Sequence, residues 1–231
     1  MTHAALALLL AFGATQAFAQ AASDAAAPPS QAEQWLFMRS QLADIHEPRT
    51  LVYDYAERIG DAPATSDRAS LVLKGAANGH CCTTHVDFLS GPLALALPDL
   101  DDPQGNPMVM YFLESEVRQL EQATHGQSAH FRRRIRQTLA DDAKTSDTTV
   151  RWNGKDVPAQ VVRVAPFVDD PYRQRFEREA ATAYEFVLSD AVPGGIVRLS
   201  AEIPAAKAGD PPLAARSLTL ADPQPAAPAK R

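Results

Sequence analysis

The chain has 231 residues, with 22 Lys and Arg against 28 Asp and Glu, so its formal net charge is −6. This mildly acidic balance gives no reason to expect binding to nucleic acid, which needs clustered positive charge. The two cysteines are too few for a disulfide framework, so the fold has to rest on an apolar core.

The N-terminus carries a segment typical of a secretory signal. Residues 4–12 read AALALLLAF, and Ala17-Phe18-Ala19 matches a small-x-small cleavage site. The apolar run is shorter than the roughly twenty residues that a transmembrane helix needs. We therefore expect a signal peptide over residues 1–19, cleavage before Gln20, and a periplasmic mature protein without a membrane span.

The mature chain is expected to form one domain. The Ala- and Pro-rich ends predict a flexible N-terminus over residues 20–29 and a disordered tail over 223–231. Residues 30–222 would then form a single globular α+β domain. At its start, Ser30 and Glu33 form a capping-box pattern, and apolar residues at helical spacing predict a helix over residues 31–45.

Alternating apolar residues then predict strands. Two strands are expected around residues 51–55 and 71–73. Asn78-Gly79 is typical of a type I′ hairpin turn and predicts a return strand over about residues 80–89. The alternation continues after a Gly-Pro pair and predicts another strand at residues 93–97.

In the middle of the chain the apolar residues adopt helical spacing. Asn106 can cap a helix that begins at Pro107 and ends at His125-Gly126. Ser128 can cap a second helix that continues to about Leu139, and the polar side of this helix carries four arginines.

The last third of the chain returns to strand patterns. Asn153-Gly154 predicts a second hairpin, and Pro158 indicates an edge or a bulge in its return strand. A short helix is expected around Phe176. Alternation then predicts three strands, over residues 184–188, 197–203 and 218–220.

These elements together define a fold class. Tight hairpin turns imply antiparallel pairing, and strands that alternate apolar with polar residues bury one face. We therefore predict an α+β fold. Its curved, mainly antiparallel, half-barrel-like β-sheet would pack against an N-terminal helix and a central helix pair.

This order of elements resembles the periplasmic lipoprotein-carrier fold, in which a half-open barrel holds acyl chains against a helical lid. Three segments also resemble an uncharacterised group of proteobacterial exported proteins. They are NPMVMYFLESEVRQL (106–120), AHFRRRIRQTLADD (129–142) and YEFVLSDAVPGG (184–195). The resemblance implies a carrier-like architecture and assigns no functional residues.

One short segment concentrates residues that bind metals. His80, Cys81, Cys82 and His85 could hold zinc or copper, or take part in thiol redox chemistry. On a regular strand, however, His80 and Cys82 would face one side and the other two would face the opposite side. Three alternatives stay open: a polar hairpin end, a disulfide favoured by an oxidising compartment, and a metal or redox site.

Two further sets of residues are candidates for binding. Aromatic residues at helix or strand spacing could line a ligand cavity, although such stripes usually form core. These are Trp35, Tyr53, Tyr55, Phe112, Phe131, Tyr184 and Phe186. Arginines on the second central helix could form a partner surface or a solvated helix face. These are Arg132, Arg133, Arg134 and Arg136.

The sequence contains no nucleophile-elbow, zinc-protease or phosphate-loop motif, so we expect a protein that is not an enzyme and needs no cofactor. The favoured interpretation is an exported binding or carrier-like protein for an apolar small molecule or lipid. One alternative is a metal-binding or thiol redox protein that uses residues 80–85. Another is an envelope structural or interaction module whose arginine-rich helix binds a protein partner.

Overall fold

The computed structural model describes residues 28–45, 49–74, 82–207 and 209–221. The expected signal peptide, residues 20–27, the 223–231 tail and the Asn78-Gly79 turn lie outside these ranges. In the described part of the chain, no helix combines the length and the apolar character that crossing a membrane requires.

Nine strands of the described residues form one antiparallel sheet. They are β1 (Arg49–Ile59), β2 (Thr65–Lys74), β3 (Thr83–Phe88), β4 (Leu100–Asp101), β5 (Lys144–Trp152), β6 (Lys155–Val164), β7 (Ala183–Leu188), β8 (Ile196–Ile203) and β9 (Ala214–Leu220). Their order across the sheet is β4-β3-β2-β1-β9-β8-β7-β6-β5. The predicted curved, antiparallel α+β fold is thus confirmed.

The last strand lies in the centre of the sheet. β9 pairs with β1 on one side and with β8 on the other, which joins the early strands β1–β4 to the later strands β5–β8. The register places Tyr55 opposite Leu218, and Leu218 opposite Leu199. All three side chains are buried, so this face of the sheet carries the core.

Helices pack on the same face. The first, α1 (Gln31–Glu33), continues into a π-helical turn over Gln34–Met38, and the central pair consists of α2 (Met108–Thr124) and α3 (Ser128–Asp141). Phe112 of α2 meets Phe186 of β7 edge to face, with 6.5 Å between ring centroids. Such aromatic contacts join the helices and the strands in one apolar cluster.

The N-terminal helix is shorter than the sequence predicts. The capping box of Ser30 and Glu33 is confirmed. The helix nevertheless ends at Met38 instead of residue 45. The helix ends because the backbone of Arg39 is extended, with φ −72° and ψ 133°. Beyond this break, Gln41 Oε1 accepts a 2.8 Å hydrogen bond from the backbone N–H of Asn106, a contact that the helical spacing of the apolar residues does not indicate.

The prediction of a strand at residues 93–97 is wrong. Gly91–Leu93 form a single 3₁₀ turn, and Leu95 makes one isolated bridge to Phe88. Gly91 has a φ of +55°, and Pro92 lacks an N–H, so the chain turns where the alternation suggested extended structure. Similarly, the helix expected around Phe176 consists of two 3₁₀ turns, Arg173–Arg175 and Glu177–Ala181.

The hairpin predicted at Asn153-Gly154 joins β5 to β6. Both residues have positive φ, +47° and +74°, as a type I′ turn requires. Pro158 lies within β6 opposite Thr149 of β5. The pairing of β6 with β7 begins only at Gln160, two residues after Pro158. Pro158 therefore occupies the edge-like position that its missing N–H favours.

Asn106 ties α2 to the sheet and to the turn before β8. Its Oδ1 accepts from the backbone N–H of Met108 at 3.0 Å, which confirms the predicted cap. Its Nδ2 donates to the Tyr53 hydroxyl at 3.0 Å and to the Gly194 carbonyl at 2.8 Å. Gly194 has a φ of +74°, and a Cβ there would lie 2.5 Å from Leu51 Cδ1. Only glycine fits this crowded position without displacement.

Gly194 and Gly154 provide a matched test of this packing, because both have a φ of +74° but a Cβ on Gly154 would meet nothing within 4 Å. We expect Gly154→Ala to cost about 1 kcal/mol from backbone strain alone. Gly194→Ala should cost about 2–4 kcal/mol, since overpacking adds to the same strain. Urea unfolding measures both, and equal losses would contradict the close packing around Asn106.

Candidate functional site

Inward-facing residues at one end of the sheet form a row across five strands. From β6 to β1, the paired residues are Val164, Tyr184, Ala201, Arg216 and Glu57. All except Glu57 are more than nine-tenths buried. A cavity of about 1040 Å³ borders this row, and we name it the end-of-sheet cavity. It is also lined by residues that alternate onto the other face of the same strands, among them Arg163, Glu185, Arg198 and Ser200.

The end-of-sheet cavity is bounded by α3, by the loop of residues 165–169 and by the ends of β6–β9 and β1. Its volume is at the upper end of the range for small-molecule sites, about 300–1,000 Å³. Apolar side chains form part of the wall: Val164, Ala165, Val168, Ala183, Ala201 and Pro204. Basic residues also line it: Arg58, Arg134, Lys144, Arg163, Arg198 and Arg216.

Four of these six basic side chains are already paired with carboxylates. Glu185 accepts from both Arg163 and Arg198, at 2.7 Å and 2.5 Å. Arg134 lies 3.0 Å from the fully buried carboxylate of Asp170. The positive charge of the cavity wall is therefore largely cancelled by neighbouring carboxylates.

The fourth pair lies inside the core. Arg216 of β9 makes two contacts with Glu116 of α2, Nε to Oε1 at 2.8 Å and Nη2 to Oε2 at 2.7 Å. The two residues are only 6% and 1% exposed. Burial opposes the charge of Arg216, but the charge of Glu116 outweighs this effect and raises the pKa of Arg216. This two-point contact fixes α2 above β9.

Three polar side chains near this ion pair have buried atoms without a hydrogen-bond partner. They are the hydroxyls of Tyr55 and Tyr184 and the Nε2 of Gln119. Burial, followed by the charge of Glu116, raises the pKa of Tyr184 well above its ordinary value. Burial also raises the pKa of Tyr55, and the adjacent Gln119 lowers it without reaching hydrogen-bond geometry. Both hydroxyls remain protonated at neutral pH and can donate.

The seven aromatic residues predicted to line a cavity occupy different positions. Six of them are at most 3% exposed and belong to the apolar cluster between sheet and helices. Trp35 is half-buried, packs against that cluster and has the guanidinium of Arg39 5.7 Å from its ring centroid. Of the seven, Tyr184 lines the end-of-sheet cavity. A ligand role for any of the seven stays a prediction.

The four arginines of α3 have separate surroundings. Arg132 forms a two-point ion pair with Glu114 of α2, and Arg133 contacts the ring of His130. Arg134 also donates to the Pro166 carbonyl at 3.0 Å, whereas Arg136 is exposed. Two of the four thus hold α3 to its neighbours, and the partner-surface hypothesis stays a prediction.

The metal-binding hypothesis concerns a segment that is described only in part. His80 and Cys81 lie outside the described residues. Cys82 is buried and disulfide-bonded, while the half-exposed ring of His85 contacts Asp99 Oδ1 at 2.6 Å. Among the residues that the structure describes, no three His, Cys, Asp or Glu side chains form a candidate metal site. The four-residue site therefore stays a prediction.

Sequence reasoning missed the ion pair of Glu116 and Arg216, although the sequence carries a signal for it. Arg216 is in phase with Leu218 and Leu220 on the buried face of β9. Glu116 lies four residues after Phe112 and four before the buried Leu120, on the apolar face of α2. When two elements each carry one charged residue on a buried face, and the charges are opposite, the two residues are expected to form an ion pair.

Comparisons with known proteins give only low similarities. No family model matches the chain, and no curated protein matches its sequence. The lipoprotein LppX of Mycobacterium tuberculosis is 11% identical with a TM-score of 0.30, over 74% of this chain and 84% of that one. A LolA superfamily protein from Nitrosomonas europaea is 11% identical with a TM-score of 0.25, over 84% and 92%. Function must be inferred from this chain's own cavity.

Glu116 and Glu114 offer a second matched test, since each is paired with an arginine but only the first pair is buried. Glu116→Gln should lower the free energy of unfolding by about 3–5 kcal/mol, because Arg216 keeps a buried charge without its counter-charge. Glu114→Gln should cost at most about 1 kcal/mol, because its partner is solvated. Chemical denaturation checks both values. Similar losses would show that the core pair does not fix α2.

Proposed function

We propose that this chain is an exported, periplasmic and non-enzymatic binding or carrier protein for an apolar or lipid-like ligand. The observation that carries the proposal is the end-of-sheet cavity. Its volume of about 1040 Å³ and the apolar part of its wall suit the hydrocarbon part of a ligand, while acidic and basic residues form much of the remaining wall. The ion pairs around the cavity are compatible with an opening to solvent.

Two hydroxyl groups in the cavity wall bond to the backbone and are not positioned as nucleophiles. Thr138 Oγ1 donates to the Arg134 carbonyl at 2.8 Å, and Ser200 Oγ donates to the Glu185 carbonyl at 3.2 Å. Neither hydroxyl is oriented by a base, as an activated nucleophile would be. The raised pKa of Tyr184 also opposes its ionisation to a nucleophilic phenolate.

Protein isolated from a bacterial periplasm without detergent should carry a hydrophobic ligand. We expect native mass spectrometry to show an added mass that denaturation releases, and lipid mixtures to raise the melting temperature of stripped protein. If no ligand co-purifies and no lipid changes the melting temperature, the proposed function is wrong.

A cavity-filling substitution locates the binding site. Val168 is 43% exposed at the cavity wall, and Val168→Trp should weaken lipid binding by about tenfold, because the indole takes up volume that the ligand would fill and a loss of about 1.4 kcal/mol of binding free energy is tenfold in Kd. Met110, 53% exposed on α2 and outside the lining, gives the control Met110→Trp. Equal binding by the two variants would place the ligand elsewhere.

The signal segment expected over residues 1–19 predicts export and cleavage. Expressed with residues 1–19 in a bacterial host, the protein should be recovered from the periplasm with Gln20 as its first residue. Intact-mass measurement and N-terminal sequencing would check the cleavage. Recovery of the full-length chain from the cytoplasm alone would contradict export.

A further inference from the structure

We infer that the β5 edge of the sheet pairs antiparallel with β5 of a second copy of this chain, in the register that sets Thr149 opposite the partner's Thr149. The inference concerns the edge of the sheet and goes beyond the proposed function, on which it does not depend. It rests on the length of this edge, on its hydrogen-bonding pattern and on the order of its charges.

The two edges of the sheet differ in length and exposure. β4 at one edge is two residues long, whereas β5 at the other edge spans residues 144–152. In the described part of the chain, β5 pairs with β6 alone, so every second residue of β5 directs its backbone N–H and C=O away from the sheet. Residues 146–149 are all exposed. A long exposed edge strand is a template for pairing with another chain.

The hairpin turn identifies the backbone groups that face outward. Trp152 and Lys155 flank the two-residue turn, and they form a hydrogen-bonded pair because the first and fourth residues of a β-turn bond to each other. Hydrogen-bonded and non-hydrogen-bonded pairs alternate along an antiparallel ladder. The even-numbered residues of β5 therefore bond to β6, whereas Asp147, Thr149 and Arg151 direct their N–H and C=O groups outward.

The charges on these outward-bonding residues select one register. In an antiparallel pair with two-fold symmetry, opposite side chains share a face, so one residue of the strand lies opposite its own copy. When that residue is Thr149, Asp147 lies opposite the partner's Arg151, and the same contact occurs twice. No other register sets these two residues opposite each other, because Thr149 is their midpoint. Centring the pair on Asp147 or on Arg151 would oppose like charges, which is destabilising.

Both charged side chains are available for this contact. Arg151 Nη1 lies 3.3 Å from Asp156 Oδ1 of β6, and both side chains of this pair are about 70% exposed. A guanidinium has several N–H donors, so Arg151 can keep this contact and bind a second carboxylate. Asp147 is exposed and makes no ion pair with the residues that the structure describes. In the dimer, Arg151 would therefore lie between two carboxylates.

The remaining cross-strand pairs of this register also suit a continuous sheet. Thr149 meets its own copy, and threonine pairs hydrogen-bond across strands. On the opposite face, the half-buried Val150 lies opposite the partner's Thr148 and extends a small apolar cluster that includes Val161. Residues 146–152 of each copy would be paired, with about six backbone hydrogen bonds between the copies.

Cysteine substitutions test the register. Thr149→Cys sets a thiol opposite its own copy with about 5.5 Å between Cα atoms, a distance that a disulfide can span. Thr148→Cys is the matched control, because its two copies would lie about 8 Å apart, beyond that span. The described residues contain no free cysteine that would compete. With oxidised glutathione as the oxidant, a non-reducing gel should show several-fold more disulfide-linked dimer for Thr149→Cys than for Thr148→Cys.

Charge reversal gives an independent test that includes its own rescue. Asp147→Arg and Arg151→Asp each oppose like charges and should raise the dimer dissociation constant about tenfold in sedimentation velocity. An equimolar mixture of the two variants should recover the wild-type association, because the heterodimer has opposite charges at both positions. Damage to the fold by either substitution would persist in the mixture.

The wild-type dissociation constant should be about 1–100 µM, because a single pair of strands is a small interface. A wild-type chain that stays monomeric up to about 500 µM would overturn the inference. Equal crosslinking of the two cysteine variants, or a mixture that associates no better than its components, would overturn the register. Crosslinking of Thr149→Cys to a different periplasmic protein and not to itself would assign the edge to that protein instead. Ligand binding is measured separately, so none of these outcomes decides the proposed function.

Discussion

The buried ion pair between Glu116 and Arg216 constrains how the helical layer lies on the sheet. Its two contacts, at 2.8 Å and 2.7 Å, join the middle of α2 to the central strand β9. A charge left unpaired in this core would cost several kcal/mol, so α2 cannot rotate or slide along the sheet without losing stability. Asn106 fixes the N-terminal end of the same helix through Tyr53 and Gly194.

The same constraint shapes the candidate binding site. Arg216 lines the end-of-sheet cavity, and Glu116 neutralises its charge from the core side. The contact that holds α2 on the sheet therefore also lowers the positive charge of the cavity wall.

Much of the fold could be predicted from local patterns. The Asn153-Gly154 hairpin, the cap at Asn106 and the strand alternation depend on neighbours in sequence, and the structure confirms them. The N-terminal helix and the strand at residues 93–97 were predicted less well. The backbone is extended at Arg39 and turns at Gly91, and the periodicity of apolar residues describes neither backbone conformation.

The sequence by itself determined the α+β class, the antiparallel pairing and the buried aromatic residues, because the spacing of apolar residues dictates which side chains share a face. The position of β9 between β1 and β8 was decided only by the tertiary structure, since strand order depends on long-range pairing. That order alone brings Tyr184, Ala201, Arg216 and Glu57 into one row. The cavity borders that row, and the charge of Arg216 in its wall is neutralised by Glu116, one hundred residues earlier in the chain.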